Sequence, residues 1–159
     1  MKQYLFPPSL LLLLLIPFCG CTREVPDGMP ATVPCFITVT QDGKPLAEAS
    51  ITLIPEDGGQ WNGGGKTDAG GTARMYTQAK YEGIPAAKYK VIVAKTEFVA
   101  GVPESSDHRI KGTPDIYYEL VEAKYANAET TPLTLDVVKG TKNYQIDIGQ
   151  SVRIKVEER

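Results

Sequence analysis

The chain has 159 residues, with 17 Lys and Arg against 19 Asp and Glu and a single His. A formal net charge of −2, with neither sign gathered into long runs, leaves no basic stripe and argues against nucleic-acid binding. Three cysteines, two of them one residue apart, supply no disulfide framework, so the folded part must be held by its core.

The first element is the apolar run from Leu10 to Ile16, preceded by Lys2 and the amino terminus. A basic start, a short apolar middle and small residues near a cut site make a secretory signal. The run is shorter than the roughly 20 apolar residues that cross a bilayer, and Pro7, Pro8 and Pro17 disfavour a continuous helix. Cys19 and Cys21 sit too close for a zinc pair, which takes roughly two to four residues between its ligands. A disulfide across one residue would be strained. The stretch "PFCGCT" resembles a bacterial lipobox, with Gly20 before the cut and Cys21 as the acylated new first residue. Phe18 stands where that box usually has leucine, and Cys19 fills its small-residue place. The resemblance implies that residues 1–20 are a cleaved signal peptide and that Cys21 carries a palmitate-type anchor. It also implies attachment to a membrane of the cell envelope, and Thr22 is compatible with the outer membrane, facing the periplasm or the surface. Ordinary secretion with cleavage is the alternative.

Residues 21–34 hold three prolines and one glycine without periodicity and are expected to form an extended tether. The period then becomes two. Cys35, Ile37 and Val39 share a face, which predicts that Cys35 is buried rather than reactive. Ile51 and Leu53 follow, then Tyr89, Val91 and Val93. Leu133, Leu135 and Val137 come next, then Tyr144, Ile146 and Ile148. The series ends with Val152, Ile154 and Val156 against Arg153, Lys155 and Glu157. Such alternation marks strands with one buried face, and the last three segments show it most cleanly.

The gaps carry turn chemistry. Asp42-Gly43 is a hairpin signal, "EDGGQWNGGG" is a glycine-rich loop, and "TDAGGT" is a second tight turn. The segment "IYYELVEAKYANAE" fits a helix, with Tyr118, Val121, Glu122 and Tyr125 on one face, and fits an irregular segment or a strand with a short turn equally well. Residues 97–131 form a long loop with Gly and Pro breaks. Short strands at regular intervals predict an all-β antiparallel sandwich of about seven strands over residues 35–159.

The stretches "VTQDGKPLAEASITLIPEDGG", "GGKTDAGGTARMYT" and "GIPAAKYKVIVAK" resemble carboxypeptidase regulatory-like domains of the transthyretin-like (prealbumin-like) group. The later "VEAKYANAETTPLTLDV" resembles the ending of small exported lipoproteins of planctomycete-like bacteria. The likeness covers about residues 35 to 149 in pieces. It implies an Ig-like or transthyretin-like sandwich with structural turns at Asp42, Gly43, Pro45, Asp68 and Gly71. Gly43 is expected at positive φ, Asp68 to bond amides across its turn, and Tyr89 to bury its ring and partner its hydroxyl. Ala73 and Ala87 depart from the group's aromatic and glycine, which leaves strand ends open there.

No catalytic residue, metal or cofactor is assigned. His108 lies in "SSDHRIK" beside Asp107, Ser105 and Ser106, and neighbours on one loop do not assemble a triad. Asp57, Asp68 and Asp115 are scattered and match no calcium loop. The glycines before Lys66 lack phosphate-loop spacing. Hydrolases of the transthyretin-like group use several histidines and a "YRGS"-type ending, whereas this chain has one histidine and ends "KVEER". Ligand contact is assigned to surface aromatics. Trp61 is either an exposed platform or a lid on the sandwich end, and Tyr117, Tyr118 and Tyr125 are candidates to join it. The expected function is a non-catalytic, lipid-anchored envelope module whose partner is an envelope protein or glycan. A carbohydrate-binding module is the alternative, and a transthyretin-like hydrolase the weakest.

Overall fold

A computed structural model describes residues 25–103 and 112–156. The stretch "PFCGCT" with Gly20 and Cys21, and His108 with its neighbours Ser105, Ser106 and Asp107, lie outside the described residues. Fifteen strand segments are present among them and no helix. In chain order β1 is Thr32–Val33, β2 Phe36–Gln41, β3 Lys44–Pro45, β4 Ser50–Pro55 and β5 Gly63–Lys66. Then come β6 Thr72–Arg74, β7 Tyr76–Thr77, β8 Tyr81–Glu82, β9 Ile84–Pro85 and β10 Lys88–Ala94. The last are β11 Thr96–Val99, β12 Ile116–Glu119, β13 Thr134–Asp136, β14 Asn143–Asp147 and β15 Ile154–Lys155. Seven of the fifteen are four residues or longer, and the other eight are two or three residues long.

Two layers build the sandwich. One sheet runs β13-β10-β4-β5-β7-β8; the other runs β14-β2-β3, with β6 also pairing β2. Their facing rows meet in one core. Cys35, Ile37, Val39, Ile146 and Ile148 come from the smaller sheet, and Ile51, Leu53, Tyr89, Val91 and Val93 from the larger. Each row obeys the period of two that the sequence displays. All the expected antiparallel neighbours are antiparallel except β14, which runs parallel to β2 from Asn143↔Phe36 to Asp147↔Thr40. A parallel pair needs a long crossover, and here the whole larger sheet lies between the two strands in sequence.

The turns behave as their residues dictate. Asp42 (φ 51°) and Gly43 (φ 69°) are both left-handed, as a two-residue hairpin turn requires. Asp68 Oδ1 accepts from the Gly70 and Thr72 amides, each at 2.9 Å. Pro45 is exposed at the edge of the smaller sheet while Leu46 next to it is buried. The Tyr89 hydroxyl donates to the Pro85 carbonyl at 2.9 Å.

Two expectations change, and one left open is decided. The sheet structure reaches back into the stretch read as tether, because Thr32 and Val33 pair with Pro85 and Ile84. The long loop 97–131 contains β11 and β12, so it begins as a hairpin arm. The segment 116–129, left open between a helix and an irregular stretch or strand with a turn, takes the second course: strand β12 and then turns. It turns at Glu122–Tyr125 and Asn127–Thr131 and then lines β10, whose Val91 and Val93 amides donate to the Leu133 and Tyr125 carbonyls. The segment is polar at alternate and helical positions alike, so neither period wins and burial of Val121 and the half-buried Tyr125 decides its path.

Candidate interaction surface

The chain leaves β10 at Ala94 and, one residue later, starts a hairpin that stands outside the two layers. β11 pairs with β12, and β12 with β15, in a three-stranded sheet. The register is Thr96↔Glu119, Glu97↔Tyr118, Phe98↔Tyr117 and Val99↔Ile116. None of its strand residues is fully buried. A sheet with an apolar face ordinarily packs that face on a second layer, and this one has no second layer among the described residues.

Its two faces differ chemically. On one, Phe98 and Tyr117 face each other across the strands with ring centroids 5.1 Å apart. Alternation adds Ile154 and Val156 from the C-terminal strand, and the same register sets Thr96 and the exposed Glu119 beside Ile154 at one border of this face. Phe98, Tyr117, Ile154 and Val156 are 53, 49, 48 and 42 % exposed, so this is a solvent-facing apolar surface. The expectation that Val152, Ile154 and Val156 bury an inward row is therefore overturned. The alternation is real, but the row has no sandwich layer beneath it. On the opposite face Arg153 lies 3.6 Å from the Tyr118 ring centroid, and its Nε donates to Glu97 Oε2 at 2.9 Å. The hydrogen bond to Glu97 raises the guanidinium pKa further above its usual value. One ring face of Tyr118 is thus already covered, and Tyr117 is the tyrosine that faces solvent.

The sandwich holds the arm through one buried polar residue. Gln41 continues the Cys35–Val39 row, is 7 % exposed, and donates through Nε2 to the Leu120 carbonyl (3.0 Å) and the Gln150 carbonyl (3.3 Å). These two carbonyls belong to the ends of the arm. Beside it, Asp42 Oδ2 accepts from the Ser151 amide (3.1 Å) and hydroxyl (2.6 Å). The Ser151 hydroxyl bond holds the Asp42 carboxyl below its ordinary pKa. Asp42 is therefore a turn residue and also the clasp of the C-terminal strand. Sequence reasoning missed Gln41, although a glutamine at the last position of an apolar alternating row was a visible sign.

Trp61 is half-buried on the loop between β4 and β5, where the Gln78 amide bonds the neighbouring Asn62 carbonyl at 2.8 Å. It lies beyond the Pro55 end of β4, whereas the arm leaves beside Ser50, which pairs with Ala94. Six residues of β4 separate the two ends, about 17 Å at strand rise. Trp61 and the Tyr117–Tyr118 pair therefore form no common platform. Tyr125 packs partly against the core and contributes to neither.

Cys35 is 1 % exposed and burial pushes its thiol up to about 11, so it stays protonated at neutral pH. Among the described residues no three His, Cys, Asp or Glu side chains gather where a metal could sit. A cleft of about 430 Å³ opens where the N-terminal segment crosses the β7–β8 turn, lined by Val25, Met29, Ala31, Thr32 and Tyr81. No family model matches this chain, and neither a curated protein nor a solved structure does.

Proposed function

We propose that the protein is a non-catalytic, lipid-anchored module of the cell envelope that binds a partner protein through its hairpin arm. The resemblance of residues 35–149 to transthyretin-like regulatory domains supports this reading, and so does the lipobox-like "PFCGCT". The single observation that carries it is the exposed apolar face of Phe98, Tyr117, Ile154 and Val156. An apolar patch of a few hundred Å² is about the size of the largest patch on an ordinary monomer, and such patches are often functional contact sites.

Placement adds support. The chain reaches the sandwich at β1, which pairs with β9 just ahead of Lys88, the first residue of β10. The arm departs after Ala94, the last residue of β10. An acyl group on Cys21 would hold the first of these ends toward a bilayer and leave the arm pointing away from it. Metabolic labelling with a fatty acid tests the anchor: label is expected on the wild type and absent from Cys21→Ser. An unlabelled wild type, or label surviving the substitution, overturns it.

A glycan-binding reading is favoured only by Trp61, half-exposed on a loop rich in glycine. Glycan arrays probed with wild type and Trp61→Ala separate the two. Binding that disappears in the variant would move the function to the β4–β5 loop, and no glycan signal is expected if the arm is the site.

A further inference from the structure

We propose that the outer edge of β11 takes an extended peptide segment of a partner protein as a fourth strand, with large apolar side chains at alternate positions. This deepens the reading of the protein as a binding module and rests on it.

The first support is the backbone. The Leu120 amide donates to the Lys95 carbonyl at 2.9 Å. In an antiparallel pair the bonded residues alternate. With the observed register, Glu97 and Val99 turn their backbone groups toward β12, while Thr96 and Phe98 turn theirs outward. The Val156 amide bonding the Tyr117 carbonyl at 2.8 Å fits the same alternation on the far side of β12. Among the described residues no strand lies along that outer edge.

The second support is what the edge lacks. Exposed edges are normally blunted by charge, proline or shortness. Here β3 carries Lys44 and Pro45, β8 and β15 are two residues long, and β13 follows Pro132 and ends in Asp136. β14 exposes Asn143, Gln145 and Asp147. β11 itself has neither lysine nor proline, Lys95 standing just before it; it exposes Phe98 and Val99, and its one charge, Glu97, is paired with Arg153. A strand added there would extend the row Phe98–Tyr117–Val156 by one more side chain on the same face.

The third support is the size of the face, which favours strand addition over stacking. Four half-exposed apolar side chains present about 350 Å², against about 800 Å² per partner in a stable protein–protein interface. The face is too small to hold a second copy by stacking alone. A single strand adds backbone hydrogen bonds to the apolar contact and needs no larger area.

The test uses the full-length chain in detergent micelles and a library of peptides of about eight residues. In the library Val, Ile, Leu, Phe or Tyr alternates with Thr, Ser, Lys or Glu. Selected peptides are expected to slow amide exchange at Thr96 and Phe98 and to lose binding when N-methylated at alternate positions. Thr96→Pro removes one outward donor and leaves the apolar face; it is expected to weaken those peptides about tenfold. Phe98→Ser keeps the backbone and is expected to weaken them by a similar factor. Three results would each overturn the proposal. One is no selection over an N-methylated library, and another is peptides that bind both variants as tightly as wild type. The third is a peptide-independent dimer abolished by Thr96→Pro, which would give the edge to a second copy. Loss of the Cys21 label or a positive glycan array would leave these readouts unchanged, so the two readings fail separately.

Discussion

Gly71 and Gly43 both sit at positive φ, at 75° and 69°, but they differ in what surrounds them. A Cβ on Gly71 would stand 2.8 Å from the Val39 carbonyl oxygen and 2.9 Å from Pro45 Cβ, whereas at Gly43 nothing lies within 4 Å. Gly43→Ala is expected to cost about 1–2 kcal/mol from backbone strain alone, and Gly71→Ala more than that because the strands must part. Urea unfolding of both variants checks the order. Titration at single residues also shapes stability. The carboxyl of Asp42 is held below its ordinary value by Ser151, so its contribution is present above the usual carboxylate range and is lost as pH falls through the lowered value. Thermal unfolding between neutral and acid pH is expected to fall less steeply in Asp42→Asn. Cys35 and Tyr89 act in the opposite direction. Burial raises them from 9.0 to about 11 and from 10.0 to about 12, so the stability they carry is full below pH 9 and drains away as pH climbs through those values. Iodoacetamide at pH 8 is expected to leave native Cys35 unmodified and to label it readily in denaturant.

Strands that look alike in sequence meet different fates as elements. The rows of β4 and β10 and the row of β15 show the same alternation, yet Leu53 and Val91 are fully buried while Ile154 is about half exposed. Leu53→Ala is expected to cost about 2–5 kcal/mol, as cavity-forming core truncations do. Ile154→Ala is expected to stay within about 0.5 kcal/mol, as at other exposed sites. Chemical denaturation of the pair measures whether the arm face is truly outside the core. The legibility of each element follows from the same contrast. Alternation announces a strand and which residues share a face, because side chains point to opposite sides in turn. It does not say which face meets another layer. That is why Cys35, Ile37, Val39, Tyr89 and Ile148 were legible as core, and why Val152, Ile154 and Val156 were misassigned. The arm strands were harder still. Thr96–Val99 is four residues long and runs into Gly101 and Pro103, so no periodic signal rose above the loop, while Ile116–Glu119 lay in a segment whose residues fitted a helix as well as a strand with a turn.

At the scale of the whole molecule, the arm is tied to the sandwich through Gln41 and Asp42. Gln41→Leu would leave the Leu120 and Gln150 carbonyls without their buried donor, at an expected cost of about 1–3 kcal/mol. Amide exchange is expected to quicken in β12 and β15 of that variant more than in β4 and β10, because local opening follows local contacts. The sequence by itself determined the all-β class, the turns at Asp42-Gly43 and Asp68–Gly71, and the rows of the core. These depend on local rules, namely the two-residue period and the backbone freedom of particular turn residues. Only the tertiary structure decided that β14 lies parallel to β2, that Trp61 and Tyr117 stand at opposite ends, and that one apolar row faces water. Those outcomes depend on which strands meet across long stretches of chain, and pairing between distant segments leaves no trace in the spacing of either one.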